Sequence, residues 1–99
     1  MNVTVVRYKV RPDAVEENAR LIGEVMAELD RVDPPDLRYL VLRLDGQRFL
    51  HVALTTSEPS PLVSLPSFGR FRHRIAERCV ETPQSDSATL LGNYRSPGS

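Results

Sequence analysis

The sequence predicts an α+β domain of the ferredoxin-like βαββαβ type, one antiparallel sheet with two helices on one face. Three observations carry this. The middle of the chain, Leu37 to Thr55, consists of two β-rich runs about Asp45-Gly46, a pair that supplies the positive φ of a tight hairpin turn. A strand-then-helix pattern precedes the hairpin, and a helix-then-strand pattern follows it. Finally, both faces of the hairpin are apolar, whereas a hairpin with one face in water alternates apolar and polar residues.

The elements follow in order. Val3 to Val10 (VTVVRYKV) is a strand by its β-branched content, and Arg11-Pro12 ends it. Asp13 with Glu16 forms a capping-box-like start to a helix that runs to about Val32. Val15, Ala19, Ile22, Met26 and Leu29 define its buried face, widened by Leu21, Val25 and Val32. Asp33-Pro34-Pro35-Asp36 hands over to the hairpin. With Asp45-Gly46 as a two-residue turn, Leu40 pairs with His51, Leu42 with Phe49 and Tyr39 with Val52. One face then carries Leu40, Leu42, Phe49, His51 and Ala53; the other carries Leu37, Tyr39, Val41, Leu50, Val52 and Leu54. A loop longer by one residue exchanges the faces but leaves both apolar. Beyond the hairpin, Ser60-Pro61 opens a short helical turn or an irregular loop. Phe68, Phe71, Ile75 and Cys79 at helical spacing predict a second helix over Phe68 to Val80, ended by Pro83. Ala88 to Tyr94 is the expected last strand, with Gly92 a candidate bulge, and residues 96–99 a frayed tail.

Composition sets the bounds. The 99 residues make one domain, residues 1–95, with one core. The 13 basic and 13 acidic side chains cancel, giving no electrostatic case for nucleic acid or an anionic membrane as partner. No run approaches the roughly 18 apolar residues of a membrane span. The single cysteine, Cys79, excludes an internal disulfide and fits a reducing compartment, so the expected location is cytoplasmic. Two helices cover one face of the sheet, and a second copy of the same sheet is the simplest cover for the other, so a symmetric homodimer is expected.

Candidate chemistry is sparse. His51 and His73 lie in different elements with no carboxylate or cysteine at ligand spacing, and phosphate-binding and nucleophile-elbow motifs are absent. Neither metal nor cofactor is implied. His73 lies roughly 140° from Phe68 around the second helix, on the solvent side. Arg72 lies about 40° from Phe68. It is either an arginine that snorkels to water or a cation facing a cavity. Asn18 falls in the apolar sector of the first helix, where its amide needs a partner, either local backbone or a ligand. Tyr8, Tyr39 and His51 arise from strands and line core, cavity or interface. His51, among leucines, reads as a hydrogen-bonded core or interface histidine, and Cys79 as a small hydrophobe.

VVRYKVRPD at the first strand–helix junction, LRYLVLR in the second strand, and Leu65-Pro66-Ser67-Phe68 with Phe71 resemble the antibiotic biosynthesis monooxygenase family of the dimeric α/β-barrel superfamily. The resemblance spans about residues 3 to 95. It implies a homodimer joined through sheet faces and a ligand cavity between each sheet and its helices. The implied activity is cofactor-independent oxygenation of small aromatic or quinone-type metabolites. Arg72 is then a candidate catalytic residue, and Asn18, Tyr8 and Arg72 candidate ligand-binding residues, Tyr8 sharing a strand face with Val6 beside the implied cavity. The chain departs from the family in having Thr55-Thr56 where a Trp is frequent, and in a shorter segment before Phe68. A non-catalytic binding dimer of the same fold is the alternative. Haem degradation ranks third, because the histidine of haem-degrading relatives falls on Arg72 and their asparagine on Val6.

Overall fold

A computed structural model describes residues 1–94 of the chain; the expected tail at 96–99 lies outside the described residues. Strand β1 (Asn2–Val10) leads through a 3-10 turn (Pro12–Ala14) into helix α1 (Val15–Val32). Strands β2 (Leu37–Leu44) and β3 (Arg48–Thr55) form the central hairpin. A 3-10 turn (Pro61–Ser64) and two short helices, α2 (Pro66–Arg72) and α3 (Ile75–Arg78), precede strand β4 (Cys79–Ala88). The sheet is antiparallel with order β2-β3-β1-β4, the ferredoxin-like order.

The hairpin register corrects the two-residue turn. Leu40 pairs with Val52, Val41 with His51 and Leu44 with Arg48, leaving Asp45, Gly46 and Gln47 as the loop. Asp45 (φ 51°) and Gly46 (φ 74°) both take left-handed backbone. Gln47 is used elsewhere: Val10 N–H donates to its carbonyl at 3.0 Å, and its side-chain amide donates back to the Val10 carbonyl at 2.9 Å. The faces therefore exchange as a one-residue change requires. Tyr39, Val41, Phe49, His51 and Ala53 share the helix-covered face with Val6 and Tyr8. Val5, Leu40, Leu42, Leu50, Val52 and Leu54 form the opposite, outer face.

The helices also differ from expectation. Asp13 does not cap α1; it faces the Arg11 guanidinium at 3.4 Å, and a 3-10 turn with Pro12 in its first turn starts the helix instead. The stripe of α1 turned most fully inward is Asn18, Leu21 and Val25, continuing Ala14 of the 3-10 turn, while Ala19 and Val32 are exposed. Asn18 sits centrally on that stripe because it bonds to Tyr8 on the sheet. The second helix does not run to Val80. It breaks at His73-Arg74, with Arg74 at φ 53°, and Arg78 folds back to donate to the Phe71 carbonyl at 2.6 Å and the His73 carbonyl at 3.3 Å. Carbonyls freed by a helix end need such donors.

The last strand is Cys79–Ala88, not Ala88 to Tyr94. Pro83, read as a breaker, sits in a strand paired only with β1, where a missing N–H is tolerated. The pairing shifts register between Arg7 and Val10, opposite this proline. Leu90, Gly92, Asn93 and Tyr94 run beside Val3, Leu40, Val52 and Leu54 on the outer face. Between sheet and helices, Tyr8, Val10, Leu21, Val25, Phe49, Leu62, Leu65 and Phe71 make the core. Glu28 on α1 accepts from the Ser67 N–H (3.0 Å) and hydroxyl at the start of α2, which ties the two helices together. No helix among the described residues is long and apolar enough to cross a membrane.

Candidate functional site

A pocket of about 400 Å³ opens between the helix-covered sheet face and the segment from Ser60 to Ile75. That volume lies in the range of small-molecule sites. Its walls are apolar and aromatic: Val6 and Ala53 from the sheet, Leu62 and Val63 from the 3-10 turn, Phe68, Phe71 and Ile75 from the helices. Thr4, Ser60 and Ser85 contribute hydroxyls, and no carboxylate among the described residues lines it.

Its floor is polar. Tyr8, Tyr39 and His51 arise from β1, β2 and β3, and the register places them side by side, Val41 and His51 being cross-strand partners two residues along from Tyr39. Tyr8 Oη lies 2.7 Å from His51 Nε2, and Tyr39 Oη 2.6 Å from His51 Nδ1. Behind them the Asn18 amide donates to Tyr8 Oη at 2.9 Å, and Arg78 Nε donates to Asn18 Oδ1 at 3.2 Å. Five side chains from five elements thus form one continuous hydrogen-bonded string. Phe71 packs on His51 (centroids 5.1 Å) and Phe49 stacks on Tyr8 (5.5 Å), which fixes the ring planes.

Burial sets the charge states. It lowers the His51 pKa from 6.5 to about 4, so the imidazole is neutral at physiological pH. Burial also raises both tyrosine hydroxyls above their ordinary range, opposed at Tyr8 by the Asn18 hydrogen bond and the Arg78 charge. The floor is therefore neutral and dipolar, with one cation held behind it.

The expected site residues separate. Tyr8 lines the pocket and touches Asn18 directly. Asn18, fully buried, is not on the wall and reaches it only through Tyr8, which corrects the expectation that it faces the cavity. Its partners are side chains from β1 and from α3, not local backbone. Arg72 is exposed at the pocket rim, its guanidinium 5.8 Å above the Phe68 ring, and does not join the string. His73 is exposed. Cys79 is half-buried, its thiol pushed up by burial. Arg78 was not legible in the sequence, because an unbroken helix to Val80 gives no reason for it to fold back. Tyr39 was named among the strand residues of core, cavity or interface, but its place on the His51 face follows only from the three-residue loop. Among the described residues no cluster of three or more His, Cys, Asp or Glu side chains is placed to hold a metal.

Fold and pocket together define a ferredoxin-like α+β domain with a ligand-sized apolar chamber on a neutral Tyr-His-Tyr floor. Comparison with solved structures places this fold among proteins that carry the name suggested by the sequence resemblance. A protein from Nitrosomonas europaea named as an antibiotic biosynthesis monooxygenase is 18% identical, with a TM-score of 0.77 over 93% of this chain and 100% of that one. One from Caulobacter crescentus with the same name is 14% identical, with a TM-score of 0.73 over 92% of this chain and 90% of that one. SnoaB, a cofactor-independent oxygenase from Streptomyces nogalater, is 17% identical, with a TM-score of 0.68 over 96% and 97%. The chain thus has the fold of the antibiotic biosynthesis monooxygenases. No protein-family model and no curated protein matches the sequence.

Proposed function

We propose that this protein binds a small planar aromatic or quinone-type metabolite in the pocket and oxidises it with molecular oxygen, needing no bound cofactor. The observation that carries the reading is a largely apolar chamber of ligand size with a hydrogen-bonded Tyr8-His51-Tyr39 floor. In an anthrone-type substrate an activated CH2 loses a proton to water at the open rim, and the resulting enolate oxygen rests on the floor. A preorganised donor in an apolar pocket stabilises such charge far better than it would in water. The carbanion transfers one electron to O2, and recombination forms a C–O bond and a peroxide anion that takes a proton back from water. Loss of water, carrying the second C–H hydrogen, leaves a new carbonyl. One oxygen atom enters the product and the other leaves as water, so no external reductant is required. Arg72 at the rim supplies the one charged side chain lining the pocket among the described residues, suited to an anionic substituent or enolate. Oxygen uptake with anthrone-type substrates, without added metal, flavin or nicotinamide, tests the reading.

A second reading keeps the pocket and drops the turnover. A neutral His51 with a pKa near 4, held between two hydroxyls, is a poor general base at pH 7, which favours a binding module of the same fold. Tight ligand binding with no oxygen uptake separates it from the first.

The outer sheet face bears on assembly under either reading. Val5, Leu40, Leu42, Leu50, Val52 and Leu54 lie together on it, and Leu42 stays 47% exposed. A contiguous apolar surface of this kind is uncommon on a lone soluble chain. The proposed cover is a second copy, sheet against sheet, in a symmetric dimer.

A further inference from the structure

The direction of each hydrogen bond in the string follows from its far end. Arg78 has donors only, so it fixes the Asn18 amide with Oδ1 toward the guanidinium and Nδ2 toward Tyr8. Tyr8 Oη therefore accepts from Asn18. Its own proton then needs an acceptor, and the partner in reach is His51 Nε2, 2.7 Å away. A neutral imidazole that accepts at Nε2 carries its proton on Nδ1, which donates to Tyr39 Oη at 2.6 Å. Tyr39 Oη, accepting from His51, is left with a hydroxyl proton and no further acceptor among the described residues; it lines the pocket. The opposite order leaves the Tyr8 proton homeless inside the core, since Tyr8 is only 4% exposed.

We propose that Arg78 and Asn18, neither of which lines the pocket, set its floor as a hydrogen-bond donor, so that the site selects ligands presenting an acceptor oxygen, as a ketone, quinone or enolate does. The inference rests on the reading of this pocket as a ligand site, and it names the substrate class that site takes. Arg78 and Asn18 are positioning residues: they act through Tyr8, His51 and Tyr39. Asparagine at position 18 is then the polarity switch. Asn18→Asp keeps the shape and the Arg78 partner but converts the Tyr8-facing atom from donor to acceptor. Tyr8 would turn its proton to the carboxylate, His51 would move its proton to Nε2, and Tyr39 would present lone pairs to the pocket.

Nitrogen-15 NMR of the His51 ring at neutral pH reads this directly and needs no ligand. The expected result is an Nδ1–H tautomer in the wild type and an Nε2–H tautomer in Asn18→Asp. An Nε2–H wild type overturns the proposal even if the variant fails to fold, and an unchanged tautomer in a folded Asn18→Asp does so too. The ligand class is tested with 9-fluorenone, a planar ketone, and carbazole, a planar N–H donor of similar size. The wild type should bind fluorenone about tenfold more tightly or better, because the wrong partner leaves a buried donor unpaired. Equal or inverted affinities, or no fluorenone binding, overturn the acceptor-ligand inference. Failure of oxygen uptake leaves the tautomer result standing, and an inverted tautomer leaves oxygen uptake to be judged by itself.

Discussion

Removing the Tyr8 hydroxyl asks whether the string is a structural device, a ligand-contacting one, or both. Tyr8→Phe deletes one oxygen and keeps the ring stacked on Phe49. The oxygen has two partners, the Asn18 amide at 2.9 Å and His51 Nε2 at 2.7 Å, on residues that are 0% and 5% exposed. Each buried polar group left unsatisfied costs about 1–3 kcal/mol, and part of the loss is recovered where pocket water reaches His51. A net loss of about 3 kcal/mol is expected, which for a domain of this length lowers Tm by roughly 12–24 °C. Tyr39→Phe provides the contrast. Its hydroxyl pairs with His51 Nδ1, and Tyr39 lines the pocket, where water can take the hydroxyl's place. That variant should lose only about 0.5–1 kcal/mol yet weaken ligand binding or turnover the more per unit of stability lost. Thermal unfolding at fixed protein concentration, paired with a binding assay, reads both. Equal destabilisation by the two variants, or a Tyr8→Phe loss below about 1 kcal/mol, would refute the assignment of Tyr8 as the buried centre of the string.

Three further outcomes are expected. His51 ionises near 4 when folded against 6.5 in the open chain, so the unfolded state takes up the proton first. Stability should therefore be full above pH 6.5 and fall by about 3 kcal/mol as pH drops toward 4. Glu17, Glu28 and Glu81, held low by Arg20, Ser67 and Arg48 respectively, lose their contributions as pH falls through the carboxylate range and below it, under the His51 window. The slope between pH 6.5 and 5 thus belongs to His51 and should vanish in His51→Gln, as denaturant titrations across that range would record. In sedimentation the protein should run at twice the 11.1 kDa chain mass, and Val52→Lys on the outer face should give monomers; a monodisperse wild-type monomer at micromolar concentration would sink the dimer. Arg72→Leu should shift stability by less than about 1 kcal/mol, because the residue is exposed and its guanidinium lies over the Phe68 ring, while weakening an anionic ligand. Unchanged binding of such a ligand would remove Arg72 from the site.

The fold class was legible because it depends on element order and on apolar periodicity, which Val3–Val10, the first helix and the hairpin state strongly. The features that sequence hid share a physical character. Asp45 adopts left-handed backbone beside Gly46, and nothing in DGQ tells a two-residue loop from a three-residue one, yet that residue decides which face holds Tyr39 and His51 together. The break at His73-Arg74 is stabilised by Arg78 reaching back to two carbonyls, a tertiary contact that overrides local helical spacing. The β4 strand is polar on both sides and contains Pro83, because an edge strand meets water and leaves one row of backbone unpaired. Asn18 announced itself as a polar residue in an apolar sector, but its partners, Tyr8 and Arg78, lie 10 and 60 residues away in sequence.

The central claim, an oxygenase pocket whose polar floor holds the substrate oxygen, is tested most directly by oxygen consumption with anthrone. The wild-type protein, stripped of metals and supplied with no flavin or nicotinamide, should consume one O2 for each quinone formed. The rate should exceed that of anthrone in buffer and drop sharply in Tyr39→Phe, whose fold is retained. Uptake no faster than the uncatalysed reaction, or a Tyr39→Phe rate equal to the wild type, would contradict it.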